Sequence, residues 1–136
     1  MGLAERRATK DFQDNHLPGL VAELHRLAGF AVPVEINFEQ LAKQDYAASY
    51  NEHFRKIYFQ PTIDALKAVA IDDLGRDALK AGLKKIVFCN TKDTYTAEYA
   101  VTFADGVATI DHDPATNVDD VDDRAKTLIK ALEKGL

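Results

Sequence analysis

The chain has 136 residues, 46% of them hydrophobic and 29% charged, with a formal net charge of −5. This is the make-up of one ordinary globular domain, long enough to bury about two-thirds of its unfolded surface without staples. It argues against a protein built to coat nucleic acid, which needs a basic footprint, and its single cysteine, Cys89, leaves no internal disulfide and suits a reducing compartment. No apolar run reaches the ~20 residues of a membrane span. The opening Met1-Gly-Leu-Ala-Glu-Arg-Arg7 lacks the apolar stretch of a secretory signal. A single cytoplasmic domain without membrane contact is expected.

Residues 3–28 read as helix. Leu17, Leu20, Val21, Leu24, Leu27 and Ala28 form an apolar stripe at helical spacing, preceded by a thinner one of Leu3, Ala8 and Phe12. Pro18 between them predicts a kink, or a break with the proline in the first turn of a second helix; Gly29 supplies a C-cap. Val32 to Phe38 alternates as a half-buried strand does, and Pro33, which cannot donate to a ladder, favours an edge position.

Helical spacing returns over residues 46–83. Tyr46, Tyr50, Phe54 and Ile57 mark one stretch, and Pro61 is expected to start the next, with Ile63, Leu66, Val69 and Ala70 as its buried face. Gly75 is expected to end or interrupt that helix, and Asp77 to Gly82 adds one or two turns. Lys85 to Asn90 reads as an interior strand, apolar on both faces at its centre, and Asn90 to Thr94 as a loop. Tyr99 to His112 reads as two alternating strands joined by an Asp105-Gly106 turn, and Asp119 to Lys134 as a closing helix with a stripe of Val121, Ala125, Leu128, Ile129 and Leu132. The simplest assembly is α+β: about four strands in a mainly antiparallel sheet packed against helices. One strand follows two N-terminal helices, and the other three come consecutively near the C-terminus.

The Asp-Gly turn fixes a register. It sets Phe103 opposite Ala108, Val101 opposite Ile110 and Tyr99 opposite His112 on the core face, with Thr102 opposite Thr109, Ala100 opposite Asp111 and Glu98 opposite Asp113 on the other. His112 and Tyr99 are therefore the candidates for catalysis, the imidazole as base or ligand oriented by the phenol; a structural histidine at the core rim is the commoner outcome. Glu98, Asp111 and Asp113 are the candidates for a hard cation, although the segment lacks the glycine and terminal glutamate of an EF-hand loop. Six aspartates crowd Asp111 to Asp123, and those from Asp119 onward suit a helix start.

The remaining signals are weaker. His53-Phe-Arg-Lys-Ile-Tyr-Phe59 interleaves aromatic and basic residues, and Arg55, Lys56 and Tyr58 could stack on single-stranded bases; core aromatics with solvated cations are the commoner outcome. Arg6, Arg7 and Lys10 read as a solvated face, and Cys89 as a buried thiol. With Ser49 the only serine, serine-nucleophile chemistry has little to stand on. No Cys-x-x-Cys, His-Glu-x-x-His, Gly-x-Ser-x-Gly or phosphate-binding glycine loop is present, and no cofactor is expected.

Two functional readings follow. The first is a small acidic interaction protein without catalytic activity, an adaptor, inhibitor or immunity-like partner, whose acidic surface meets a basic protein. The alternative is a small hydrolase or ligand-binding domain using His112 with Asp111, Asp113 and Tyr99. Nucleic acid is a distant third, and a homodimer through the Val32–Phe38 edge is partly guarded by Pro33.

Overall fold

A proline and a glycine punctuate the first helical pair. The computed structural model describes residues 1–136 and separates α1 (Leu3–Asn15) from α2 (Leu17–Ala28) at His16, with Pro18 in the first turn of α2. Gly29 closes α2 in the left-handed region, at φ 84°, and its N–H donates to the His25 carbonyl. β1 (Val34–Ile36) is shorter than the alternation in its sequence. The reason is Asn37, whose side chain accepts the Gln40 N–H at 3.2 Å and so caps α3 (Phe38–Leu41).

A 3₁₀ turn over Ala47–Ser49 leads into α4 (Tyr50–Phe54), a wide π-turn (Arg55–Phe59) and α5 (Gln60–Val69) without a break. Pro61 stands in the first turn of α5, as expected, although no break separates α5 from the π-turn. A proline lacks the N–H for the carbonyl four residues back and crowds it; the π-turn just ahead accommodates that misfit. α6 (Asp73–Gly82) begins with Asp72, whose carboxylate accepts the Gly75 N–H at 2.8 Å. Gly75 therefore belongs to the first turn of α6, not to the end of α5. A Cβ there would lie 1.7 Å from the Val69 carbonyl oxygen.

The rest of the chain supplies β2 (Lys85–Cys89), α7 (Ala97–Ala100), β3 (Val101–Ala104), β4 (Val107–Asp111) and α8 (Val121–Gly135). The sheet order is β1-β2-β4-β3; β1 and β2 are parallel, as are β2 and β4, and only β3 and β4 are antiparallel. The sheet is thus mixed and mostly parallel, which corrects the expected antiparallel arrangement. Periodicity reports which face a strand buries, not which way it runs. The long helical crossover from β1 to β2 allows the parallel pairing. Pro33 does precede an edge strand, and β2 is interior.

Asp105 and Gly106 both have positive φ, 53° and 80°, and the register around them is the one the turn dictates, from Ala104–Val107 out to Val101–Ile110. Beyond Val101 it stops. Residues 97–100 form a helical turn, with the Tyr99 and Ala100 N–H groups donating to the Thr96 carbonyl at 3.2 and 3.0 Å. On β4's extension, the His112 N–H is taken by the Cys89 carbonyl and the Asp113 N–H by that of Thr94.

The two sheet faces differ. Ile86, Phe88, Val101, Ala108 and Ile110 are buried against Phe54, Ile57, Tyr58, Phe59 and Leu66 of the long helical rod and Leu128 and Leu132 of α8. Glu35, Val87, Cys89, Thr102, Thr109 and Asp111, on the other face, are half-buried or exposed. The fold is a two-layer α/β sandwich. The bare side remains tolerable because its side chains are largely polar, including an ion pair of Lys85 with Glu35 at 3.3 Å. No helix is long and apolar enough to cross a membrane.

Candidate functional site

His112, just past β4, is fully buried. Its Nδ1–H donates to the Asp113 carbonyl at 2.6 Å, leaving Nε2 as an acceptor with no protein partner. Burial holds its pKa below the usual histidine value, so the ring is neutral at neutral pH. The Tyr58 hydroxyl donates to the His112 carbonyl at 2.5 Å, and burial pushes that phenol well above its ordinary range. Tyr99 is elsewhere: it stands on α7, 71% exposed. The register that paired it with His112 is not made.

The three candidate carboxylates also part company. Glu98 is exposed on α7 and does not face Asp113. Asp111 accepts both the N–H (2.7 Å) and the hydroxyl of Thr91. Asp113 is ion-paired with Lys43 at 2.8 Å and accepts the Ala115 N–H, also at 2.8 Å. Burial alone would raise its pKa, but these two donors hold it below the usual carboxylate value. No three His, Cys, Asp or Glu side chains gather closely enough to hold a metal ion. Further along, Asp119 pairs with Lys56 at 2.7 Å, and Asp122 and Asp123 lie in the first turn of α8, where the helix dipole favours them.

Arg124 is the residue that sequence reasoning passes over. Only 1% of its surface is exposed, and its guanidinium donates to the carbonyls of Asn117 (2.8 Å), Val118 (2.8 Å) and Lys56 (3.2 Å). It thereby ties the segment after β4 to the π-turn. An arginine near a helix start ordinarily reads as solvated, and no local pattern marks this one as buried. The aromatic-basic stretch divides: Tyr58 is in the core, while Lys56 pairs with Asp119 and Arg55 bonds Asn51 at 2.6 Å at the surface. Cys89 is half-buried, and burial with the neighbouring Asp111 pushes its thiol up to about 11, so it is no thiolate at neutral pH.

Two sizeable concavities mark the surface. One, of about 700 Å³, opens at the carboxyl ends of β1 and β2, where parallel strands commonly place ligands. Its charges are mixed, Arg6 against Glu35 and Glu39, and Gln40 is already engaged with the Asn90 N–H at 3.0 Å. The other, of about 660 Å³, is a groove between the end of α5, α6 and the end of α8. Small residues, Gly75, Ala78 and Ala81, contribute to its floor, and Ile71 and Leu74 flank it. These two are 80% and 82% exposed, the most exposed large apolar side chains in the molecule.

The local sequence explains this arrangement. Gly75 lets the start of α6 close on the Val69 carbonyl, and Arg76 fastens the turn by donating to the Ala70 carbonyl (2.9 Å) and to Asp73 (2.5 Å). α6 buries only Leu79, so Leu74 faces out. The charged groups lining the groove are Asp72, Asp77 and Glu133, none of them in an ion pair, and no lysine or arginine lines it.

The class defined by fold and surface is a two-layer α/β domain with an acid-rimmed apolar groove. A scan against known protein families and searches of curated proteins and of solved structures found no match to this chain.

Proposed function

We propose that this chain is a small acidic cytoplasmic interaction protein without catalytic activity, an adaptor, inhibitor or immunity-like partner, and that the groove between α5, α6 and α8 is its contact surface. The exposure of Ile71 and Leu74 beside that groove carries the reading. Single apolar side chains on a surface need no explanation, but an apolar groove flanked by two adjacent ones marks an interaction site. The net charge of −5 supports a basic partner. The hydrolase or ligand-binding alternative has less support. His112 has no surface for a substrate to reach, and Tyr99 does not meet it.

The test is site-specific photo-crosslinking in the native cell, with the crosslinker at Leu74 and, as a control, at exposed Thr102 on the bare sheet face. A discrete adduct from position 74 that Ile71→Ser abolishes supports the reading. Adducts from position 102 alone, or from neither, would sink it.

A further inference from the structure

Resting on that reading, we infer that the occupant of the groove is a basic amphipathic helix. Leu74, Ala78 and Ala81 recur at the spacing that shares one helix face, and all three line the groove. α6 thus presents an outward apolar stripe in addition to the inward side that buries Leu79. Small residues at 75, 78 and 81 leave room for a partner backbone to approach to about the 8 Å of a close helix pair. The ten residues of α6 correspond to about 15 Å of helix, so about three turns of partner would be gripped in helix-in-groove fashion.

The charge selects the sign of that partner. Asp72, Asp77 and Glu133 stand at the groove without cationic neighbours in ion-pair range. Arg76, close by, is already taken by Asp73 and the Ala70 carbonyl. Lysines or arginines flanking the partner's apolar stripe would meet unpaired anions. A second copy of this chain docking through the same groove would set acids against acids, an arrangement that costs affinity.

The probe is a labelled synthetic helix-forming peptide with leucines at i, i+4 and i+7 and lysines flanking them, compared with the same peptide carrying glutamates for lysines. Binding is read by fluorescence anisotropy, with native mass spectrometry for oligomeric state. The lysine peptide is expected to bind at least ~10-fold more tightly at low salt, an advantage that shrinks as salt is raised. Leu74→Glu should weaken it by at least ~10-fold, with an unchanged far-ultraviolet spectrum showing that the variant is folded. Asp77→Lys with Glu133→Lys should remove or invert the preference for the lysine peptide.

Equal binding of the two peptides, or a preference indifferent to Asp77 and Glu133, would overturn the basic helix. So would a dimer that Leu74→Glu dissolves, or binding of neither peptide. In each case the crosslink at position 74 decides separately whether the groove is still the contact surface. An adduct there keeps the interaction reading and discards only its occupant.

Discussion

Two helix starts in this molecule carry the same sequence signal and come to opposite ends. Asp119, Asp120, Asp122 and Asp123 gather at the start of α8, and Asp72, Asp73 and Asp77 at the start of α6. Each cluster keeps one surface ion pair, Asp119 with Lys56 and Asp73 with Arg76. Around the first, other polar groups turn inward: Lys43 holds the buried Asp113, and the Arg124 guanidinium collects three carbonyls. Around the second, Asp72 and Asp77 keep no cation, and the neighbouring side chains are Ile71 and Leu74 in open solvent. Clustered aspartates alone do not distinguish a structural joint from the proposed contact surface. What sits beside them does: a buried guanidinium in one case, an apolar groove in the other.

The difference is broken most severely at Arg124. Arg124→Met leaves its carbonyl partners without a donor, and a loss of roughly 3 kcal/mol in urea unfolding is expected, the upper end of the range for hydrogen bonds to a charged group. Arg124→Lys should recover only part of that, because one ammonium cannot reproduce the planar fork. At the other helix start, Gly75→Ala forces a methyl against the Val69 carbonyl. It should cost roughly 1–3 kcal/mol, as overpacking does, and speed hydrogen exchange in α6 while leaving α8 protected.

Acid should act through the first region. The native His112 pKa lies below its unfolded value of about 6.5. As pH falls through that unfolded value the unfolded chain gains a proton that the native ring refuses, so stability declines until the lower native pKa is reached. His112→Leu should flatten this decline, whatever it does to absolute stability. The Asp113 contribution has the other form: present above the unfolded carboxylate pKa of about 3.9 and lost as pH falls through the lower native one. Denaturant titrations between pH 7 and pH 3 on the wild type, His112→Leu and Asp113→Asn separate the two. The smallest stability effect is expected at the groove, where Ile71→Ser and Leu74→Ser should each change unfolding free energy by no more than about 0.5 kcal/mol, while Ile71→Ser abolishes the crosslink from position 74. A large destabilisation by either would mean that these side chains serve the fold.

The sequence by itself determined the local features. Pro18 and Gly29 bound α2, and Pro33 precedes an edge strand. The Asp105-Gly106 turn carries four residue pairs in register, and the stripe from Val121 to Leu132 lies on one helix. Each follows from backbone limits of one residue or from a repeat of two or 3.6 residues, which neighbours in sequence express without help. Only the tertiary structure decided that β1, β2 and β4 run parallel, that residues 97–100 coil instead of extending the hairpin, that Arg124 is buried and that Leu74 is not. Strand direction depends on a distant crossover, and the end of the hairpin on which carbonyls Cys89 and Thr94 offer to β4. The fates of an arginine and a leucine depend on surfaces assembled from residues far apart in the chain. The expected pairing of Tyr99 with His112 is not made for that reason: it extends a local rule past the point where long-range hydrogen bonds take over.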